Sequence, residues 1–236
     1  MIVSDNFEEK YISLRRKENR LYTDEQLRWL PEIERSHPHY KEWELRKASS
    51  NKLTQHLSSK KTGLNILEVG CGNGWLCHHL SKIPGSNVAG IDINKTELDQ
   101  AKRVFDHIEN LEFFYGGMDN ERIRNEKFDA IVFAASIQYF PALDNILPGA
   151  LQLLNPGGEI HILDSHFYKP SELEVARKRS FDYYESLQFG EMTQYYFHHC
   201  ANELDPYNHK LFYNPDLLVN RFTKNKNPFP WICIYA

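Results

Sequence analysis

Long apolar runs are missing from this sequence of 236 residues. A membrane-spanning helix needs about 20 consecutive apolar residues, and a secretory signal needs a shorter apolar segment behind a basic start. No segment comes near the first requirement, and the opening MIVSDNFEEKYISLRRKENR lacks the second. We therefore expect no membrane span, no signal peptide and a cytoplasmic location.

Cysteine and clustered positive charge are also scarce. The four cysteines are scattered, at positions 71, 77, 200 and 233, in a chain large enough to bury a core without disulfides. We expect free thiols in a reducing compartment. The net charge is −4 and Lys and Arg form no long run, so a broad nucleic-acid interface is not expected. The oligomeric state stays open.

The most informative stretch that is present is NILEVGCGNGWL, residues 65–76. An apolar strand running into glycines that open a helix brings backbone N–H groups up to a nucleotide-like ligand in doubly wound α/β proteins. The ligand is expected over Gly70, Gly72 and Gly74. A dinucleotide-binding fingerprint requires Gly or Ala where this chain has Trp75, which argues against a nicotinamide oxidoreductase.

The run E-V-G-C-G-N-G, beginning at Glu68, resembles motif I of class I S-adenosylmethionine-dependent methyltransferases. The resemblance implies an α/β fold: a Rossmann-like, seven-stranded, mostly parallel sheet with helices on both faces. It also implies S-adenosylmethionine as the cofactor, held in part by this loop. The loop residues assigned to cofactor binding are Glu68, Gly70, Cys71, Gly72 and Gly74.

A carboxylate follows the next apolar segment. Residues 87–91 indicate the second strand, which ends at Asp92 and Ile93, 18 to 19 residues past the last loop glycine. An acid at this place accepts hydrogen bonds from ribose hydroxyls in nucleoside-binding α/β folds. The alternative is that Asp92 only starts the next helix. Asn94 and Glu97 have the spacing of a capping box for that helix.

The turn after the third predicted strand, residues 111–115, contains Met118 and Asp119. In the family that this chain resembles, an apolar residue here lies against the adenine and an acid accepts from its amino group. Both residues match that pattern and are assigned to cofactor binding. A helix cap at Asp119 is the competing explanation, and the two roles are compatible.

The fourth predicted strand, residues 128–134, is a nearly unbroken apolar run, typical of a central parallel strand. It is followed by Ala135, assigned to the cofactor, and by SIQY, ending at Tyr139. Enzymes of this class that methylate nucleobase amino groups carry D/N/S-P-P-Y/F/W here, so SIQY is more similar to small-molecule methyltransferases of the type-11 domain. Tyr139 is a candidate for the acceptor pocket or the sulfonium, with simple packing as the alternative.

A fifth strand is predicted at 159–163, behind the family's L-x-P-G-G turn, and two more at 209–213 and 231–235. His166 lies just beyond the fifth strand and is the candidate general base, since its ordinary pKa is near neutrality. A base is optional, because an ionised acceptor needs none. The triplets 77–79 and 198–200 contain His and Cys, but adjacent side chains diverge and no second ligand pair follows, so no metal is expected.

The segments outside this pattern are predicted to be accessory. Residues 1–60 form an N-terminal helical cap, in which Phe7, Tyr11 and Leu14 share one helix face, and residues 61–236 form the methyltransferase domain. An aromatic, partly helical insertion is expected at about 171–207. The cap either packs on the sheet or acts as a lid over the cofactor.

These observations predict methyl transfer from S-adenosylmethionine to a small, apolar or aromatic acceptor by in-line displacement. The alternative is a non-catalytic regulatory subunit that keeps the cofactor-binding fold. Cofactor binding without room for an acceptor would favour the alternative.

Overall fold

The computed structural model describes residues 7–60, 62–221 and 226–236, so the first six residues of the predicted cap lie outside it. Its nine strands are β1 Asn65–Val69, β2 Asn87–Asp92, β3 Leu111–Tyr115, β4 Phe128–Ala134, β5 Leu154–Leu163, β6 Phe167–Tyr168, β7 His199–Cys200, β8 His209–Tyr213 and β9 Trp231–Tyr235. Seven of them form one sheet in the order β3-β2-β1-β4-β5-β9-β8. β1 to β5 are parallel, and β9 is antiparallel to both β5 and β8. The predicted fold is confirmed.

Eight helices accompany the strands within the described residues. They are α1 Phe7–Lys17, α2 Asp24–Trp29, α3 Tyr40–Ser58, α4 Trp75–Leu80, α5 Lys95–Phe105, α6 Leu147–Gln152, α7 Leu173–Ser186 and α8 Leu218–Arg221. Short 3-10 turns lie at 137–139, 143–145, 170–172, 190–195 and 201–204. No helix of this described part is long and apolar enough to cross a membrane.

The central strands are buried on both faces, as their unbroken apolar sequences predict. Ile66 of β1 and Val132 of β4 belong to one core cluster, together with side chains of α3, α4 and α5. Their chain neighbours Leu67, Ile131 and Phe133 point to the other face and pack with α6 and β9. Alternation along each strand therefore supplies two apolar layers from one sheet.

A third cluster lies above the carboxyl edge of the sheet. It joins Phe7 and Leu14 of α1 to Ile93 after β2 and to Tyr184 and Met192 of the segment between β6 and β7. Parallel strands bring their carboxyl ends to this edge, where ligands bind in doubly wound folds. The N-terminal helix and the aromatic segment together cover that edge.

Candidate functional site

The loop after β1 is held against its neighbours by backbone contacts. The N–H groups of Gly70 and Cys71 donate to the carbonyl oxygen of Ile91, at 2.8 and 3.1 Å. Gly70 has a φ of 74°, and a Cβ there would lie 2.6 Å from the Cβ of Ser136 after β4. Only a glycine allows this approach of the two loops without displacement.

Gly74 is also required, but for packing beneath the loop. Its φ is 74°, it precedes α4, and an added Cβ would lie 2.5 Å from the Phe113 ring of β3. It does not line the cavity above the loop. The structure therefore places Gly74 in the support of the site, whereas the sequence assigned it to direct cofactor contact.

Asp92 lies at the end of β2 and fixes the same loop. One carboxylate oxygen accepts from the N–H of Gly72 and the other from the N–H of Asn94, both at 2.7 Å. Burial raises the pKa of Asp92, while these two hydrogen bonds act in the opposite direction. Each carboxylate oxygen can accept more than one hydrogen bond, so the group can still receive a ligand hydroxyl.

A cavity of about 510 Å³ extends from this loop along the carboxyl edge of the sheet. It passes the carboxylate of Asp92 and continues to the turn after β3. The sequence-predicted residues that line it are Gly70, Gly72, Asp92, Ile93, Met118, Asp119, Ala135 and Tyr139. Ala135 has a φ of 52°, a left-handed conformation that is uncommon outside glycine and concentrates at functional sites.

A smaller, more polar cavity of about 90 Å³ adjoins the first and shares Gly70, Gly72 and Ala135 with it. Two predicted residues, Glu68 and Cys71, line it. So do five charged residues that the sequence did not assign to the site: Arg15 of α1, Arg20 beyond it, Glu42 and Arg46 of α3, and Glu97 of α5. The cap helices thus contribute cations to the glycine loop.

Glu68 is almost completely buried in β1. The Cys77 thiol donates to its carboxylate at 2.9 Å. Burial raises the pKa of Glu68 to about 8, and the nearby charge of Asp92 contributes in the same direction. Glu68 is therefore mostly protonated at neutral pH in the ligand-free protein.

Tyr139 belongs to an aromatic wall on the α1 side of the cavity. Its ring centroid lies 6.4 Å from that of Phe7, 5.9 Å from that of Tyr11 and 6.0 Å from that of Tyr196. Arg15 Nη2 donates to the hydroxyl of Tyr11 at 2.8 Å and lies 3.5 Å from that of Tyr139. Burial raises the pKa of Tyr139, so its phenol stays neutral.

His166, the candidate base, lies outside both cavities. Asp164, the residue after β5, has a φ of 54°. The ring centroids of His166 and Phe229 lie 4.6 Å apart. His166 lines a separate cavity beside α7. Within the described residues, the structure does not bring the predicted base to the predicted cofactor site.

A larger cavity, of about 1010 Å³, lies beside α3 and the loop before β9. It shares none of the loop glycines and none of the residues assigned to the cofactor. If cavity size alone decided, this larger cavity would be chosen as the cofactor site. The backbone geometry of Gly70 and the carboxylate of Asp92 select the smaller cavity instead.

His56, Glu159 and His161 have ligand atoms within 4.8 Å of one another, on the face of the sheet that α3 covers. Trp231 Nε1 donates to His161 Nδ1 at 3.2 Å, so the neutral ring carries its proton on Nε2, which faces Glu159. A metal at that nitrogen would require the opposite tautomer. The group is better described as a polar network between α3 and the sheet.

Residues 60–209, well over half of the chain, match a family model described as a methyltransferase domain. The chain belongs to this methyltransferase family. A stretch of 101 residues is 36% identical to ubiquinone biosynthesis O-methyltransferase of Nitrosococcus oceani, covering 42% of each chain. Another, of 112 residues, is 31% identical to human arsenite methyltransferase, covering 42% of this chain and 30% of that one. This chain spans less than half the length of these curated relatives.

Two solved methyltransferases share the fold over most of both chains. Geranyl diphosphate C-methyltransferase from Streptomyces coelicolor A3(2), solved with Mg²⁺, geranyl diphosphate and S-adenosylhomocysteine, matches with a TM-score of 0.59 and 16% identity, over 86% of this chain and 85% of that one. The plantazolicin methyltransferase BpumL, solved with a substrate analogue and S-adenosylhomocysteine, matches with a TM-score of 0.55 and 18% identity, over 81% and 83%. The family inferred from motif I is confirmed.

Proposed function

We propose that this methyltransferase-family chain binds S-adenosylmethionine and transfers its methyl group to a small, apolar or aromatic acceptor. The continuous cavity from the glycine loop, past Asp92, to Met118 and Asp119 carries this proposal. Along it the glycine loop, a carboxylate and an apolar side chain follow one another, in the order that an amino-acid tail, a ribose and an adenine would need.

The residues of the cavity fit this cofactor. Asp92 is anchored by two backbone N–H groups and can accept from a ribose diol. Met118 offers an apolar contact and Asp119 an acceptor for an adenine amino group. The polar cavity, with Arg15, Arg46 and carboxylates, suits a tail that carries both charges.

The acceptor is proposed to lie against the aromatic wall of Phe7, Tyr11 and Tyr139. When bound, the cofactor supplies a methyl group that its sulfonium already makes electrophilic. These residues then have to align the acceptor and exclude water, which needs no covalent intermediate. Because His166 lies elsewhere, an acceptor that ionises readily, such as a phenol, suits the site better than an alcohol.

The setting is proposed to be the cytoplasm, with a small-molecule partner and no nucleic acid. All four cysteine thiols are free and buried, which agrees with a reducing compartment. The net charge of −4 disfavours a polyanionic partner.

Isothermal titration calorimetry with S-adenosylmethionine tests the cofactor assignment. Wild-type protein is expected to bind, and Asp92→Asn to bind roughly tenfold more weakly, because one charged acceptor is replaced by a neutral amide. Glu109→Gln, the same kind of change at an exposed position outside the cavity, is the control. Folded wild-type protein that binds no cofactor would refute the assignment.

Formation of S-adenosylhomocysteine in the presence of simple phenols tests the acceptor class. Matched aromatic compounds without a hydroxyl are the control for uncoupled breakdown. Turnover with phenols alone supports the proposal, and turnover only with large or charged acceptors contradicts it.

A further inference from the structure

Glu97 has an unusual place in the first turn of α5. The capping box predicted with Asn94 is only half formed: the Asn94 side chain accepts from the Glu97 N–H at 3.0 Å, but the return contact is missing. The N–H of Asn94 donates instead to Asp92 at 2.7 Å. Asp92 has therefore displaced the Glu97 side chain from its usual capping partner.

The displaced carboxylate covers the glycine loop. Glu97 Oε2 would lie 3.2 Å from a Cβ on Gly72, and the residue lines both cavities of the site. Among the described residues, no hydrogen bond or ion pair holds this carboxylate. Gly72 thus has the Asp92 carboxylate on its N–H and the Glu97 carboxylate over its Cα.

Two neighbouring carboxylates in a partly buried site repel each other, and a ligand cation between them relieves that repulsion. S-adenosylmethionine carries a sulfonium, whereas S-adenosylhomocysteine has a neutral thioether and is otherwise the same molecule. A carboxylate that attracts the sulfonium will bind the two ligands with different affinities. A carboxylate that only accepts hydrogen bonds from the groups that both ligands share will not.

We propose that Glu97 is a charge-selecting residue of the cofactor site, which favours the sulfonium cofactor over its neutral thioether product. The proposal rests on the proposed function. Under this proposal Glu97 also promotes product release. Methyl transfer converts the sulfonium that the Glu97 carboxylate attracts into a neutral thioether.

Several charged groups face Glu97 from the elements packed around it. Burial raises the pKa of Glu97 to about 7, and Asp92 and Glu8 add to the shift. Arg15 of α1 and Arg46 of α3 act in the opposite direction. The carboxyl therefore titrates in the range where binding is measured, and a ligand cation favours its ionised form.

Calorimetric titration of both ligands into wild-type protein, Glu97→Gln and the exposed control Glu109→Gln tests the proposal. Glu97→Gln is expected to bind S-adenosylmethionine about tenfold more weakly and S-adenosylhomocysteine with less than a twofold change, because only the first ligand carries the sulfonium that the carboxylate is proposed to attract. The control variant is expected to match wild type for both. An equal loss for both ligands, or no loss, overturns the proposal.

The wild-type protein provides a second measurement that does not depend on the variant folding. Between pH 6 and 8, the preference for S-adenosylmethionine over S-adenosylhomocysteine is expected to rise about three- to tenfold as Glu97 ionises. A preference that is independent of pH overturns the inference about Glu97 alone, and binding of neither ligand overturns the proposed function as well.

Discussion

At the scale of single residues, two glycines with similar backbones differ in their surroundings. Gly74 and Gly157 have φ values of 74° and 76°, but an added Cβ meets the Phe113 ring at 2.5 Å in the first case and nothing within 4 Å in the second. Both alanine variants carry about 1–2 kcal/mol of backbone strain. Only Gly74→Ala adds a steric clash in a packed core.

We expect Gly74→Ala to lower the free energy of unfolding by about 1–3 kcal/mol more than Gly157→Ala, because overpacking adds to the shared strain. Urea denaturation of the two variants and wild type measures the difference. Equal losses would show that Phe113 moves aside without cost.

Glu68 gives the protein a pH dependence with a definite sign. Its pKa is about 8 in the folded protein and about 4.3 when unfolded, so the folded state holds an extra proton between these values. Stability must then fall as pH rises through this window, by up to about 1.4 kcal/mol per pH unit for one group.

Glu68→Gln removes this titration and keeps an oxygen that can accept from Cys77. Between pH 5 and pH 8, we expect the free energy of unfolding of the variant to rise by roughly 1–3 kcal/mol relative to that of wild type. This change does not depend on any difference in stability that the two proteins already have at pH 5. Urea denaturation at the two pH values gives the comparison. Parallel pH profiles for the two proteins would rule out Glu68 as the source.

Some site residues could be predicted from local sequence and others could not. Gly70, Asp92 and Met118 follow apolar strands directly, so their place at the carboxyl edge follows from strand order. Arg15 and Arg46 come from helices whose docking depends on tertiary packing, which spacing does not encode. The position of His166 was not predictable for a related reason. Asp164, two residues before it, has a left-handed conformation that redirects the chain, and because the residue is not a glycine the sequence does not indicate this turn.

At the scale of elements, α3 is fastened to the sheet through one carboxylate. The carboxylate of Glu159 in β5 lies 2.8 Å from His56 Nε2 in α3, 2.5 Å from Lys60 Nζ just beyond α3, and 3.3 Å from His161 Nε2. Burial alone would raise the pKa of Glu159, but these three neighbours hold it well below its usual range.

We expect Glu159→Gln to destabilise the protein by about 2 kcal/mol at neutral pH, since it removes the buried negative charge that Lys60 and the two histidine rings contact. In wild type this contribution is fully present above about pH 4.3 and is lost as pH falls further, because the folded pKa is depressed.

The matched control is Asp182→Asn, which breaks the exposed pair with Lys178 on α7. We expect it to change stability by less than about 0.5 kcal/mol. Chemical denaturation of both variants measures the contrast. Similar effects in the two would mean that α3 is held by its apolar face alone.

The long elements were predictable and the short ones were not. The shared face of Phe7, Tyr11 and Leu14 predicted a helix, observed as α1, and an unbroken apolar run predicted the strand observed as β4. β6 and β7 have two residues each, too few to show a period, and they pair only because tertiary packing brings them together. The capping box predicted at Asn94 is only half formed, because the Asp92 carboxylate outside the helix accepts from the N–H of Asn94.

At the scale of the whole molecule, β9 connects β8 to the rest of the sheet, although it comes last among the described strands. It lies between β5 and β8, and Ile234 at its centre is fully buried. Strand order is a tertiary property, so the sequence predicted two final strands without showing which one enters the sheet's interior.

We expect Ile234→Ala to lower the free energy of unfolding by about 2–4 kcal/mol, because it leaves a cavity in the core packed against one face of the sheet. Val219→Ala, at a side chain that is 73% exposed, should cost less than about 0.5 kcal/mol. Guanidinium denaturation compares them. A small loss for Ile234→Ala would mean that β9 repacks easily.

The position of β9 also affects how the chain is made. Leu163, at the end of β5, is synthesised 68 positions before Trp231. At roughly 5–20 residues per second, the apolar edge of β5 waits about 3–14 s on the ribosome for its partner strand. An unpaired apolar edge is a site of misassembly, so the nascent chain should need protection by chaperones during that interval.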